Sequence, residues 1–307
     1  MFLYYRKNNV INASCSSYVK TYKNGVYVMI YVEKNDKPTL IEKIFNFIKV
    51  QENTIILPIN EETSQKQIEK ISRKTQKIVG ILSNSKKIVL SKNMKKEEKF
   101  INYLNTYGIE ISDGRWLFEV LLTDIINFIV EKQKMKKINL SILINDLTDI
   151  EFENIKLLAK KYTNMNIVTN HIEKFKKLEK QLQEEGIIIT ITNNKKKSLM
   201  KSQIIINVDF PKELINKYRI NENATIVNVK RPIKIAQKRF NGMTVNDYEI
   251  NYRSDICSEK FFNGKYELKD LYESEIYKRT PFKELRKKVK NDNVSITKLF
   301  LNNGLLQ

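Results

Sequence analysis

Three short polar stretches hold the side chains best suited to chemistry: Asn145-Asp146-Leu147-Thr148-Asp149, Thr169-Asn170-His171 and Asn207-Val208-Asp209-Phe210-Pro211. Each follows an apolar, β-branched run, which places it at the carboxyl end of a strand. In an open parallel sheet, ligands bind at that edge. The candidate ligand contacts are therefore Asn145, Asp146, Thr148, Asn170, His171, Asn207 and Asp209. His171 is the chain's one histidine, and Cys15 and Cys257 are its two cysteines. A single His and two distant thiols exclude a multi-His or Cys-rich metal site. Cys15, among Ser14, Ser16 and Ser17, has no local base to make it a nucleophile. His171 has no partner in the sequence to orient it as a general base. Asn170, with Glu173 three residues on, reads as a capping box at a helix start. Asp209, ahead of Phe210-Pro211, suits a turn. No residue is assigned a catalytic role.

The elements that must position these stretches alternate strand and helix. Ile138–Ile144, Asn166–Thr169, Ile187–Thr192, Ile204–Val208 and Ala224–Val229 read as strands. Asp149–Tyr162, His171–Glu185 and Lys195–Lys201 read as the helices between them. Parallel strands need such crossovers, so the spacing predicts a doubly wound parallel sheet over residues 138–230. Upstream, Val26–Val32 and Thr54–Ile59 read as strands, and Leu40, Ile44, Phe47 and Ile48 repeat at helical spacing. Residues 63–76 read as a polar helix. Ile78–Leu82 and Lys86–Leu90 read as strands about a Ser83-Asn84-Ser85 turn. A helix through Phe100, Leu104 and Tyr107 stops at Gly108, ahead of a strand at Ile109–Ile111. The helix Arg115–Lys132 is apolar nearly all round and must be buried between layers or domains. Met243–Ile250 reads as a further strand, and Leu268–Tyr277, Phe282–Val289 and Val294–Leu301 as helices.

The expected fold is α/β: a doubly wound parallel, Rossmann-like sheet preceded by a second α/β domain and followed by a helical tail. The expected divisions are an N-terminal domain over 1–130 that includes the interdomain helix 115–132, a Rossmann-like domain over 131–235, and a mainly helical segment over 236–307 that packs back on the first domain.

Over residues 138–230 the chain resembles the dinucleotide-binding domain of the shikimate dehydrogenase and glutamyl-tRNA reductase type. The likeness rests on Ile167-Val168-Thr169-Asn170-His171 with the helix through Lys174, Leu178 and Leu182, and on Leu199-Met200-Lys201-Ser202-Gln203 leading into Ile204-Ile205-Ile206-Asn207. The resemblance implies an NAD(P)-binding fold, with Asn170 where the family's Asn-Arg-Thr approaches the ribose 2′-phosphate of NADP. Here His171 stands for the Arg and Ile172 for the Thr. The family's glycine-rich first turn is missing, since no Gly lies between Gly114 and Gly186. Asp146, Asp149, Glu151 and Glu153 stand there instead. Side chains obstruct the close approach of a diphosphate, and carboxylates take the positive helix end that should receive it. Two like charges at ~4 Å repel by about 4 kcal/mol at an effective dielectric near 20. NAD or NADP binding is thus possible by architecture but disfavoured by sterics and charge. The family's catalytic Lys and Asp find no matching pattern; Lys87, Lys92 and Asp113 are only available residue types.

Of the 307 residues, 55 are basic and 35 acidic, a net charge of +20. The excess is spread evenly along the chain, and only nine of the basic residues are Arg, the residue that favours base readout and phosphate forks. A generally solvated basic surface is the plainer reading, and nucleic acid is a possible partner. The opening residues lack signal-peptide order, no apolar run reaches the ~20 residues of a membrane span, and two scattered thiols suit a reducing compartment. These readings imply a cytoplasmic protein with no membrane partner. The favoured function is a catalytically diverged or non-catalytic Rossmann-like protein that binds a protein partner or small ligand in an interdomain cleft. The alternatives are an NAD(P)-dependent oxidoreductase of shikimate-dehydrogenase-like architecture and a nucleic-acid-binding protein with a Lys-rich surface.

Overall fold

The computed structural model describes residues 4–6, 9–11, 29–35, 37–83, 86–253, 264–277, 281–302 and 304–307. Cys15, Cys257 and the Asn84-Ser85 part of the expected turn lie outside them. The chain divides into two compact units, 1–114 with 254–277, and 115–253 with 278–307. The first contains, in chain order, β1 (Tyr4–Arg6), β2 (Asn9–Ile11), β3 (Ile30–Lys34), α1 (Leu40–Phe45), β4 (Lys49–Gln51), β5 (Thr54–Leu57), α2 (Gln65–Leu82), β6 (Lys87–Leu90), α3 (Glu98–Thr106) and β7 (Glu110–Ser112). The second continues with α4 (Arg115–Val120), α5 (Leu122–Lys132), β8 (Leu140–Leu143), α6 (Asp149–Lys161), β9 (Met165–Val168), α7 (Lys176–Glu184) and β10 (Thr190–Thr192). It runs on through α8 (Lys195–Lys201), β11 (Ile204–Asn207), α9 (Lys212–Lys217), β12 (Thr225–Asn228) and β13 (Met243–Asn251). The chain returns to the first unit for α10 (Leu268–Ile276) and to the second for α11 (Phe282–Asn291), β14 (Ser295–Leu301) and β15 (Gly304–Leu306).

In the first unit a five-stranded sheet has the order β4-β5-β3-β6-β7, parallel except for β4. Ile30, Val32, Ile55, Leu57, Ile88 and Leu90 pack against Ile71 and Ile78 of α2 and Phe100 and Leu104 of α3. Residues 78–82 are not a strand. They complete α2, because Ile71, Thr75 and Ile78 continue one buried face from a start fixed by the Ser64/Gln67 capping box. The helix from Leu40 ends at Phe45 because Asn46 turns left-handed at φ 51°. Ile48 is buried beyond that end, whereas Leu40 and Ile44 are exposed. Helix α10 packs on β6 and β7. Gly114 cannot carry a side chain, since its φ is +79° and a Cβ would stand 2.8 Å from the Lys269 stem. Lys87, noted as an available type, is taken up in a buried ion pair, and Lys95, which the sequence reading did not single out, in another. Lys87 Nζ lies 3.2 Å from Glu273, with both side chains buried, and Lys95 Nζ lies 2.6 Å from the fully buried Asp270. Ser112 Oγ donates to Glu273 at 3.0 Å.

The second unit is doubly wound and Rossmann-like. Its eight-stranded sheet has the order β10-β9-β8-β11-β12-β13-β14-β15. Strands β8 to β13 are all parallel, and in their own numbering they run 3-2-1-4-5-6, the dinucleotide-fold order. Every residue of β8, β11 and β12 is buried, as expected of strands covered on both faces. Of residues 294–301, expected as a helix, Ser295–Leu301 form β14 antiparallel to β13. Ser295-Ile296-Thr297 is β-branched-rich, and pairing to an open sheet edge overrides a weak helical pattern.

The two compact units group the elements differently from the expected divisions at 130 and 235. The apolar helix 115–132 belongs to the second unit, as do α11 and the last two strands, while α10 alone of the C-terminal helices belongs to the first. That apolar helix breaks at Leu121 into α4 and α5, and both pack on α6. The break is held by polar groups that suit a buried bend. Arg286 of α11 donates to the Val120 carbonyl and pairs with Asp124. Asn154 of α6 donates to the Glu119 carbonyl at 2.7 Å and accepts from Thr123 at 3.0 Å.

Candidate functional site

The carboxyl ends of β8, β9 and β11 bring most of the expected contacts together. After β8 the backbone turns through residues 144–148 into α6, and its amides face the segment that follows β11. There the Asp209 carboxylate accepts from Asn145 N–H at 2.9 Å to either oxygen and from Asp146 N–H at 2.8 Å. Consecutive backbone amides ahead of a helix N-terminus form an anion seat. Here a side chain of the same chain fills it.

The rest of the loop is also satisfied internally. Asn145 Oδ1 accepts from the Asn170 backbone N–H at 3.0 Å, which ties the β8 and β9 ends together. Thr148 caps α6 in a full capping box with Glu151, whose Oε2 accepts from Thr148 N–H at 2.7 Å. Glu151 is buried, and its other oxygen lies 2.6 Å from Lys230 Nζ. Burial opposes the charge on Lys230, but Glu151, with Glu119 and Asp209 near it, holds the ammonium above its ordinary range. Asp146 pairs with Lys174 at 2.8 Å on the surface. That ammonium holds the Asp146 carboxyl below the usual range, with smaller help from His171 and Lys230. The local anions Asp146, Glu151 and Asp209 thus face Lys174 and Lys230, so the cations suited to a diphosphate are already neutralised.

Two sequence expectations change. Asn170 does not cap a helix: His171 takes the N-cap position of a 3-10 turn over Ile172–Phe175, and no side chain caps it. The His171 backbone N–H is used by Thr169 Oγ1 at 3.0 Å, and among the described residues none holds its imidazole. A tertiary bond from the Asn170 N–H to Asn145 outcompetes the local box. Asn207 does not face the loop either. Its amide donates to Asn228 Oδ1 at 3.0 Å, and Asn228 in turn donates to Asn246 Oδ1 at 2.9 Å. Asn207 also brackets the turn to Phe210, accepting from its N–H at 3.0 Å and donating to its carbonyl at 3.2 Å. This asparagine ladder crosses three adjacent strands, from the ends of β11 and β12 to a position within β13, and went unrecognised in the sequence. The signal was present, because Ile204-Ile205-Ile206-Asn207, Thr225-Ile226-Val227-Asn228 and Thr244-Val245-Asn246 each end an apolar run on Asn.

Among the described residues no group of three or more His, Cys, Asp or Glu side chains is placed to hold a metal, and no helix is long and apolar enough to cross a membrane. The residues at the β8 turn do not fit a dinucleotide diphosphate, since the turn has side chains at every position and its amides serve Asp209.

No known family's sequence profile matches the chain, and no curated protein matches it in sequence. Among solved structures it is similar to Δ1-pyrroline-2-carboxylate reductase from Thermococcus litoralis in complex with NADH and L-proline. That match has 13% identity and a TM-score of 0.27, and covers 38% of this chain and 40% of the reductase. The A chain of dipicolinate synthase from Bacillus subtilis matches at 9% identity and a TM-score of 0.34, over 70% of this chain and 85% of that one. Ornithine carbamoyltransferase from Pyrococcus furiosus matches at 12% identity and a TM-score of 0.27, over 72% and 79%. At such scores these likenesses carry no functional argument. The Rossmann-like fold of residues 115–253 and 278–307 rests on its own strand order.

Proposed function

We propose that the chain is a catalytically diverged Rossmann-like protein, which uses the carboxyl edge of its second-unit sheet to bind a partner or a small ligand without a diphosphate. One observation carries the reading: Asp209 takes the two amides that a dinucleotide's phosphoryl oxygens would need. The carboxylate is an internal substitute for the missing anion, and a diphosphate would have to displace it and then face Asp146 and Glu151 as well. The strand order 3-2-1-4-5-6 favours a second reading, an NAD(P)-dependent oxidoreductase, because dinucleotides bind at the crevice of that topology. Thermal denaturation with added cofactor separates the two. A binder saturated at ~100 times its dissociation constant gains about 2.7 kcal/mol. The diverged reading expects no rise in melting temperature with millimolar NAD, NADH, NADP or NADPH, and a clear rise with any of them overturns it.

A further inference from the structure

At the opposite edge of the same sheet, ahead of β12 and β13, lies a cleft of about 230 Å³ lined by Arg219, Ile220, Glu222, Gln237, Lys238 and Arg239. Its walls are held in place. Gln237 Nε2 donates to the Tyr218 carbonyl at 2.7 Å, and Gln237 Oε1 accepts from Ile220 N–H at 3.3 Å. The Phe240 N–H closes a tight turn on the Gln237 carbonyl at 3.1 Å, which puts Lys238 and Arg239 at its tip. Two residues past Phe240, Gly242 runs so close to Ala224 that a Cβ would stand 2.0 Å from the Ala224 carbonyl oxygen.

The lining has three cations and one carboxylate. Glu222 is committed to Arg219 at 2.9 Å, whereas Lys238 and Arg239 have no ion-pair partner among the described residues. Two uncompensated cations facing one concavity suit a dianion. A phosphomonoester carries a charge of about −1.5 to −2 at neutral pH, and the guanidinium fork matches its oxygens. The volume lies below the ~300 Å³ at which pockets for larger organic ligands begin. We propose that this cleft binds the phosphate group of a small phosphomonoester, at a site distinct from the β8 edge. The inference is independent of the function proposed above.

Isothermal titration of the full chain with glycerol 3-phosphate and with inorganic phosphate tests it, alongside a single-stranded oligothymidylate. All four charged lining side chains reach solvent, so their replacement leaves folding intact, to be checked by circular dichroism. Saturable binding of glycerol 3-phosphate is expected. It should weaken about tenfold or more in the Lys238→Ala/Arg239→Ala double variant. It should tighten about threefold in Glu222→Gln, which removes the one carboxylate. Lys196→Ala, a surface cation elsewhere, should leave it unchanged. A flat titration, or a double variant with the affinity of the original chain, overturns the proposal. Binding of the oligonucleotide without either small phosphate also overturns it, and assigns the cleft to a nucleic-acid backbone.

Discussion

Asp209 does at residue scale what a ligand does in a nucleotide-binding turn. Replacing it by Ala removes the acceptor of two backbone amides, and hydrogen bonds to charged groups contribute about 1.5–3 kcal/mol. Since the loop is partly exposed and water can reach it, Asp209→Ala is expected to cost about 1–2 kcal/mol in urea denaturation; no change in midpoint would mean the bonds do not form in solution. Asp270 gives a second prediction, in the first unit. Burial pushes its carboxyl up to about 8, against the pull of Lys95. The unfolded carboxyl titrates near 3.9. Between those values the folded state binds more protons than the unfolded, so this group makes stability fall as pH rises from about 4 to about 8. Asp270→Asn should flatten that fall in denaturation midpoints measured at pH 5 and pH 8.5. A variant profile as steep as the original contradicts the assignment. The placement of Asn145, Asn170 and Asp209 just past the strand tips was legible because Asn and Asp follow apolar runs there. Their partners were not legible. Asn145 and Asp209 are 64 residues apart, and only the folded sheet sets β8 beside β11.

At element scale, local signals were reliable where they did not compete. The Thr148/Glu151 box starts α6 at Asp149, where the sequence placed the helix start, and Thr148→Ala should lower stability by about 1 kcal/mol by thermal denaturation. A loss below a few tenths would show that Lys230 alone anchors Glu151. Competition explains the misreadings. Ile78-Val79 is β-branched, yet it extends a helix already nucleated and half buried. Ser295–Leu301 pairs with β13 because that edge was open. The break at Leu121 depends on Arg286, which serves both the Val120 carbonyl and Asp124. Arg286→Ala is expected to cost about 1 kcal/mol, since the Arg286 and Asp124 side chains both keep some solvent. Hydrogen exchange should show faster opening of residues 119–124 in that variant; an unchanged rate there would make the contact incidental.

Across the whole molecule, strand–helix alternation over 138–230 identified the parallel sheet, because crossovers leave a length and polarity period in the sequence. The unit boundaries did not follow the chain in order, since residues 254–277 return to the first unit. Nothing local marks such a return. Buried ion pairs carry part of it: Glu273 of α10 neutralises Lys87 of β6, and removing one partner of such a pair costs about 3–5 kcal/mol. The functional reading turns on a single geometric fact, that the amides of Asn145 and Asp146 are already bonded to Asp209. Amide resonances of a 15N-labelled sample, assigned at those two positions and followed during titration with NADPH, test it most directly. The two resonances should stay in place up to millimolar nucleotide, and Asp209→Ala should shift both of them. Saturable movement of both resonances in the unmodified chain on adding NADPH would contradict the account.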